Sequence, residues 1–243
     1  MLLPLLSFAV AACASSEPAI NRMAADELFL HGLEQLQEEE WSEAVAAFER
    51  FTLVHASHPR ATEARYRLGE AYMGRREYIT AALEFNRLAA EYPNGPWADD
   101  ARFHVCASYE ELSLPPMLDQ EYTLTAIEHC RSLLTYHPDS EYVERAGVII
   151  ERLTNRLAEK EYRNGEHYFK RNAFDSAIIY YLDVADRFPQ TVWAPRALLR
   201  LVQSYGFRGY APEAEAARER LLLDYPDSPE ARQLNGDEAG DRS

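Results

Sequence analysis

Apolar residues recur at spacings of three and four along nearly the whole chain, with polar residues between them. This spacing puts the apolar side chains on one face of an α-helix, so it predicts amphipathic helices. Alternation of apolar and polar residues, which is typical of a half-buried strand, does not extend over any long stretch. Alanine, leucine, glutamate and arginine dominate the composition, and these residues favour helix. The sequence therefore predicts an all-α protein.

A nine-residue pattern recurs along the chain and indicates internal repeats. Ala64–Tyr72 and Ala101–Tyr109 match at the alanine, arginine, aromatic, aliphatic and tyrosine positions, 37 residues apart. Each copy has a slot for a small side chain, which lets a second helix approach closely. Five copies with a period near the roughly 34 residues of a tetratricopeptide repeat predict a superhelix of five helical hairpins. The slot residues are Gly32, Gly69, Cys106, Gly165 and Val202.

The second helix of each predicted hairpin has two markers. The first is an alanine followed four residues later by a mostly larger side chain. The pairs are Ala44/Phe48, Ala81/Phe85, Ala126/Cys130, Ala177/Tyr181 and Ala214/Arg218. The second marker is an aromatic residue or histidine followed by proline, which predicts the helix end because proline cannot continue a helix. These dipeptides are His58–Pro59, Tyr92–Pro93, His137–Pro138, Phe188–Pro189 and Tyr225–Pro226.

Two irregularities interrupt the repeats. The third repeat contains an insertion around Leu114–Met117 (LPPM), which predicts a loop between its two helices. Residues 139–171 form a long helical pattern without proline that runs into the fourth repeat. We therefore divide the chain into repeats one to three (24–138) and the long helix with repeats four and five (139–231). The polar, glycine-rich tail (232–243) is predicted to be disordered.

The first 12 residues form a short apolar run that ends in small side chains. Such a run is too short to cross a bilayer as a helix but suits the apolar core of a signal peptide. Cys13 and the polar segment 14–18 (ASSEP) follow, and the arrangement resembles the lipobox of bacterial lipoproteins, in which the cysteine thiol takes the lipid. By that resemblance Ala14, which is not an aspartate, permits transfer to the outer membrane. We expect a signal peptide at 1–12, lipid on Cys13 and a flexible linker at 13–23; an ordinary signal peptide with an incidental cysteine is the alternative.

The net charge of −15 argues against a nucleic-acid partner, since phosphate binding requires a basic stripe. It leaves two interpretations, an acidic surface that aids solubility and a groove that attracts basic or amphipathic peptides. Cys106 and Cys130 are the cysteines that follow Cys13, and both fall at buried repeat positions. We expect packed thiols there, with a disulfide inside the third repeat as the alternative.

Candidate catalytic and metal-binding residues do not form a recognisable set. His55 and His58 lie at a predicted helix end with no cysteine or carboxylate close in sequence, and Glu38–Glu40 is a charge run expected in a solvated turn. The sequence has no HExxH, GxSxG, GxxxxGK[ST] or GxGxxG motif. It therefore predicts a binding protein without catalytic activity, metal or cofactor, apart from the covalent lipid on Cys13.

Two surfaces are candidates for binding a protein partner. In stacked hairpins the first helices line the concave face, where apolar anchors between carboxylates suit a peptide. The predicted groove residues are Phe29, Leu33, Tyr66, Glu70, Met73 and Phe103. The start of the fifth repeat mixes tryptophan with arginine, which are enriched at interfaces. The predicted partner-interface residues are Val192, Trp193, Arg196, Leu199 and Arg200. For both sets the alternative is packing between hairpins.

Together the lipobox, the repeats and their irregularities resemble the BamD family, lipoproteins of the outer-membrane β-barrel assembly machinery. The likeness covers essentially the whole chain after the lipobox. It is most specific in the irregular third and fourth repeats, which generic repeat proteins do not share. The matching segments are 118–123 (LDQEYT), 136–142 (YHPDSEY), 157–161 (LAEKE), 168–171 (YFKR), and Ala177–Ile178 with Tyr180.

That resemblance implies a non-catalytic scaffold on the periplasmic face of the outer membrane. It implies that the C-terminal hairpins bind the periplasmic domains of a BamA-like, barrel-forming subunit. It also implies that the N-terminal groove binds unfolded outer-membrane proteins, whose terminal signal is rich in aromatic residues. Two other interpretations stay open. One is a lipid-anchored repeat adaptor in cell-wall remodelling or cell division, and the other is an enzyme subunit whose catalytic partner is a different chain.

Overall fold

The computed structural model of the chain describes residues 19–241. Within that range the regular structure is helical and no strand is formed, which confirms the predicted all-α class. The eleven α-helices of the described range are α1 Ala25–Gln37, α2 Trp41–Val54, α3 Ala61–Gly74, α4 Tyr78–Glu91, α5 Ala98–Glu111, α6 Glu121–Tyr136, α7 Val143–Phe169, α8 Phe174–Arg187, α9 Trp193–Arg208, α10 Ala211–Asp224 and α11 Pro229–Asp241.

The second helices of the hairpins end at a constant distance from their marker alanines. The C-cap residue lies eleven positions after the alanine in α2, α4, α6, α8 and α10. In four of these helices the next residue is the predicted proline. In α2 the C-cap is His55, so the prediction that this helix ends at His58–Pro59 is wrong by three residues. The last buried residue of α2 is Phe51, which indicates that packing of the apolar face sets the length of this helix.

The part of the chain that the structure describes divides into two compact units, one that ends at Arg75 and one that begins at Arg76. In the first unit, α1 packs against α2 and α2 against α3. Gly32 of α1 is buried beneath the ring of Phe48, where a Cβ atom would lie 2.7 Å from the ring. The close approach of the two helices agrees with the prediction for the small-residue slot, and the structure adds that the ring of Phe48 fills the space above it. The helices predicted to form the second hairpin, α3 and α4, fall in different units.

The second unit is built on α7, which contacts α5, α6, α8 and α9. Its 27 residues span about 40 Å at 1.5 Å per residue, which confirms the predicted long helix. The first half of α7 closes a core with α5 and α6, and its second half closes another with α8 and α9. Leu157 packs against both cores. Gly165 lies beneath Tyr181, with a Cβ position 2.6 Å from that ring, and repeats the contact of the first hairpin.

Cys106 of α5 and Cys130 of α6 form a disulfide, so the expectation of packed thiols is wrong and its alternative is right. Both side chains are fully buried, and the Cα atoms are 5.0 Å apart. Cys106 occupies the small-residue slot of its hairpin, and Cys130 occupies the large-residue position. Since these two positions touch in the first and fourth hairpins, cysteines placed at both are within bonding distance.

The tail predicted to be disordered from residue 232 is part of α11 as far as Asp241. The helix begins beside Ser228, whose Oγ accepts a hydrogen bond from the backbone N–H of Ala231 at 3.0 Å. Pro229 suits the first turn because its φ is already helical. Ala231 is fully buried and Leu234 packs against the last core, so apolar contacts outweigh the polar, glycine-rich composition of this tail.

The predicted signal peptide (1–12) and the lipid-bearing Cys13 lie outside the described residues. The linker predicted at 13–23 is described from Ala19, where Ala19–Asn21 forms a 3-10 turn. The guanidinium of Arg50 donates hydrogen bonds to the carbonyl oxygens of Ile20 and Asn21, at 3.1 and 3.0 Å. Among the described helices, none is both long and apolar enough for a membrane span.

Candidate protein-binding surfaces

The three aromatic residues predicted to anchor a peptide are buried. Phe29, Tyr66 and Phe103 expose 1%, 4% and 3% of their surface. Phe29 contacts the rings of Phe48 and Phe51 edge-on, at centroid distances of 5.8 and 5.6 Å. The alternative interpretation, packing within the repeats, therefore describes these side chains, and they are not open to an extended peptide.

Phe103 is stacked between other side chains of the second unit. The ring of Tyr142 lies parallel to it at 4.5 Å, and the guanidinium of Arg145 lies over it at 4.5 Å. The Tyr142 hydroxyl donates a hydrogen bond to Asp100 at 2.9 Å. Burial, with this bond, raises the pKa of Tyr142 to about 12. These contacts fix the turn before α7 onto the start of α5.

The other predicted groove residues, Leu33, Glu70 and Met73, are half-buried. Glu70 accepts a hydrogen bond from Arg67 at 2.8 Å, so part of its charge is neutralised within α3. Leu33 lines an open depression on α1 beside Leu30, which is 58% exposed. A role for these three residues in binding a peptide stays a prediction.

The predicted partner interface contains exposed and internal residues. Val192 is 60% exposed, and Arg196 is exposed with its guanidinium 4.8 Å above the ring of Trp193. Trp193 itself is half-buried against Tyr162, at a centroid distance of 5.1 Å. Arg196 also lies 3.6 Å from the carboxylate of Glu230 in α11. Val192, Trp193 and Arg196 thus form a continuous surface at the start of α9.

The other two predicted interface residues, Arg200 and Leu199, make contacts inside the second unit. The Arg200 guanidinium pairs with Glu166 at 2.6 Å, and the Tyr181 hydroxyl donates to the same carboxylate at 2.7 Å. Burial lowers the pKa of Arg200, but hydrogen bonds to Tyr162 and Glu166 outweigh it and the net shift is upward. Leu199 packs against the core. Glu166 was not singled out from the sequence, where nothing distinguishes it from the other glutamates of α7.

The histidines considered as metal ligands have structural surroundings. His58 packs edge-on against Phe51 at 5.4 Å, and its Nε2 lies 3.8 Å from the carboxylate of Asp26. His55 also packs against Phe51, at 5.4 Å. Within residues 19–241 as the structure describes them, histidine, cysteine, aspartate and glutamate side chains form no group of three or more that could hold a metal ion.

The comparison with known families covers nearly all of the described chain. Residues 21–221 match the YfiO family, whose description is "Outer membrane lipoprotein". The chain belongs to the YfiO family. This membership confirms the lipoprotein class and the outer-membrane association that the sequence predicted.

Relatives of this YfiO-family chain include two proteins named outer membrane protein assembly factor BamD, which confirms the predicted resemblance. The protein from Caulobacter vibrioides is 28% identical over 229 residues, which cover 91% of this chain and 74% of the relative. The protein from Rickettsia prowazekii is 24% identical over 201 residues, which cover 83% and 80%. A solved tetratricopeptide-repeat protein from Bacteroides fragilis aligns at 15% identity with a TM-score of 0.49, covering 88% of this chain and 97% of that protein.

A surface cleft of about 510 Å³ adjoins the exposed residues at the start of α9. It lies between the first half of α7, including Ile150 and Glu151, and the turn from α8 to α9, including Phe188 and Gln190. Asn155 of α7 lines the cleft, and its Oδ1 accepts a hydrogen bond from the backbone N–H of Val192 at 3.3 Å. The cleft could not be predicted from the sequence because it forms between segments of α7 and the α8–α9 turn that are more than 30 residues apart.

Proposed function

We propose that this chain is a non-catalytic scaffold of the outer-membrane β-barrel assembly machinery, held on the periplasmic face of the outer membrane by lipid on Cys13. In this role it binds a barrel-forming subunit and unfolded outer-membrane proteins. The family match over residues 21–221 carries the proposal, since it includes both the insertion and the long helix. The assembly-factor names of the relatives agree with it.

Two features of the described surface support a partner-binding role. The Val192–Trp193–Arg196 surface combines an aromatic ring with a guanidinium above it, and such groups are enriched where protein interfaces derive most of their affinity. The cleft lined by α7 is concave and adjoins that surface. Because Phe29, Tyr66 and Phe103 are buried, we do not include these rings in the proposed site for unfolded outer-membrane proteins, called clients here. Leu33 and Leu30 on α1 remain as the candidate apolar contact for unfolded clients.

Affinity purification from detergent-solubilised membranes tests the proposal. We expect a tagged chain to recover a large β-barrel protein with periplasmic repeats. A Trp193→Ala/Arg196→Ala variant should recover less of that protein, whereas the matched exposed pair Leu53→Ala/Val54→Ala should recover an unchanged amount. Recovery of cell-wall enzymes without any β-barrel protein would contradict the proposal and favour the adaptor in cell-wall remodelling or cell division.

The anchor is tested separately. We expect Cys13→Ser to abolish incorporation of labelled palmitate and to move the chain from the membrane fraction to the soluble periplasmic fraction. Several acyl chains are needed for durable attachment, so loss of the modified cysteine should release the protein. If the variant remained lipid-labelled, the lipidation site would lie elsewhere.

A further inference from the structure

The loop between α5 and α6 and the first turn of α6 expose several large apolar side chains that lie close together in sequence. Leu114, Met117, Leu118 and Tyr122 expose 42%, 51%, 53% and 39% of their surface. Singly scattered apolar residues are ordinary on a protein surface, but four within nine residues of sequence are a concentration that favours an interaction site. This group, Leu114 with Met117, Leu118 and Tyr122, is called the apolar cap below.

A buried glutamine holds the loop in one conformation. The side chain of Gln120 is 6% exposed, and its Nε2 lies within 2.9 to 3.4 Å of the carbonyl oxygens of Leu114, Pro115, Leu118 and Asp119. Its Oε1 accepts a hydrogen bond from the Thr123 hydroxyl at 2.8 Å. One side chain thus contacts backbone carbonyls near both ends of the loop, and these contacts fix the loop that carries the cap.

The long helix braces the same loop from outside. Arg156 donates to the carbonyl oxygens of Ser113 and Leu114 at 3.1 and 3.3 Å, and Lys160 donates to that of Leu118 at 3.1 Å. Arg152, one turn earlier, pairs with Glu110 at the end of α5. These three cations are four residues apart and share one face of α7. Since the loop is already ordered, a partner that covers the cap pays little entropy for fixing it.

The charges around the cap indicate which kind of partner surface it would bind. Glu111, Asp119 and Glu121 are exposed at its edge, and none of these carboxylates is ion-paired with a residue that the structure describes. Arg156 and Lys160 donate to loop carbonyls and keep their own charge, so the three carboxylates outnumber the two cations at the loop. An anionic lipid surface would meet like charge here. A protein pocket with an apolar floor and a rim of lysine or arginine is complementary.

The loop that carries the cap and the candidate partner interface both contact α7. Arg156 holds the loop, and the preceding residue, Asn155, accepts the hydrogen bond from Val192. Consecutive helical residues point about 100° apart. Contacts on these two sides of α7 can therefore be reached by one partner that curves around the helix.

We propose that the apolar cap is a preformed docking surface for a basic-rimmed apolar pocket in the periplasmic domains of the barrel-forming subunit. This inference rests on the proposed function. It adds a second contact to the Val192–Trp193–Arg196 surface, and this contact is made by the insertion of the third repeat.

The test measures binding of the lipid-anchored chain, purified in detergent, to the purified periplasmic domains of the barrel-forming subunit from the same organism. We expect Met117→Asp/Leu118→Asp to raise Kd by about tenfold or more. The matched control is Leu53→Asp/Val54→Asp, which places the same charges at two exposed apolar neighbours (81% and 52% exposed) and should leave Kd unchanged. Circular dichroism checks that both variants keep their helix content.

The carboxylates at the edge of the cap are tested with Glu111→Gln/Glu121→Gln. Asp119 is left unchanged because its Oδ1 accepts a hydrogen bond from the backbone N–H of Glu121 at 2.8 Å. We expect association to slow several-fold at low salt and the difference to vanish at high salt. Equal Kd for the unchanged chain and the Met117/Leu118 variant overturns the docking surface and leaves the proposed function standing. Equal loss in the Leu53/Val54 control also overturns it. Absence of binding by the unchanged chain overturns both proposals together.

Discussion

The first and fourth hairpins close their helices on a glycine beneath an aromatic ring, whereas the third closes on a disulfide. A Cβ atom at Gly32 or Gly165 would lie 2.7 or 2.6 Å from the ring of Phe48 or Tyr181. In the third hairpin the same two positions hold Cys106 and Cys130, joined covalently. The space between the helices is thus filled by a ring in one case and by two sulfur atoms in the other.

The disulfide occurs in the hairpin that contains the insertion between α5 and α6. The hairpin with the disulfide is also the one with the long connecting loop, and that loop is organised by Gln120 and by cations of α7. The first and fourth hairpins are joined by short turns and depend on the fit of glycine and ring. We infer that the third hairpin uses a cross-link and polar bracing to hold two helices that its long loop leaves less constrained.

Breaking the disulfide should have the largest effect on stability. The bond closes a loop between residues 24 positions apart, and loop-closure entropy then contributes about 3.5 kcal/mol to the free energy of unfolding. Denaturant unfolding followed by circular dichroism, with and without reductant, measures this contribution. Cys106→Ala/Cys130→Ala should lose a similar amount and become insensitive to reductant. If the oxidised and reduced chains had the same free energy of unfolding, the disulfide would not stabilise the third hairpin in the way proposed.

Filling the glycine slot of the fourth hairpin should have the next largest effect. Gly165→Leu forces a side chain into the ring of Tyr181, and overpacking of this kind costs about 3 kcal/mol. Gly147→Leu is the control in the same helix, because a Cβ atom there meets nothing within 4 Å. That variant should be slightly more stable than the unchanged chain, since leucine favours helix over glycine. Denaturant midpoints that fall equally for both variants would mean that the ring contact is not what restricts Gly165.

The repeat pattern predicted most of this architecture because each marker reports a local packing need. Glycine at the slot predicts the close approach of the second helix seen at Gly165, and proline after the C-cap predicts four of the helix ends. The number of cysteines favours packed thiols at Cys106 and Cys130, because the pairing of slot and large residue that explains their disulfide is known only from the structure. The burial of Phe29 and Phe103 depends on side chains from other helices. The four carbonyl contacts of Gln120 depend on the backbone path of the loop, and the spacing of residues along the sequence does not predict that path.

Removing the amide that organises the insertion should have a smaller effect than either change above. Gln120→Ala leaves four loop carbonyl oxygens without their shared donor, and water can replace it only in part because the site is buried. We expect a loss of about 2 kcal/mol. The exposed Gln190, in the shorter turn between α8 and α9, is the control, and Gln190→Ala should change stability by less than about 0.5 kcal/mol. Similar losses for the two variants would contradict a special role for Gln120.

The smallest expected effect concerns Tyr142, which ties the turn before α7 to Asp100 of α5. Its pKa is raised to about 12 in the folded chain, by burial first and then by the bond to Asp100. An unfolded tyrosine loses its proton near pH 10, so above that pH the unfolded chain binds fewer protons than the folded chain, and stability falls. The contribution of the hydroxyl is therefore complete below about pH 10 and is lost as the pH approaches about 12.

Solvent screens this half-buried group, which limits the pH-dependent contribution to about 1 kcal/mol. Comparing the unchanged chain with Tyr142→Phe isolates it, because the other tyrosines titrate equally in both. Unfolding free energies at pH 8 and pH 11.5 should differ between the two chains by less at the higher pH. The exposed Tyr92 is the control, and Tyr92→Phe should show no such convergence. A constant difference for Tyr142→Phe across this range would indicate that packing against Phe103, and not the bond to Asp100, holds this turn on the third hairpin.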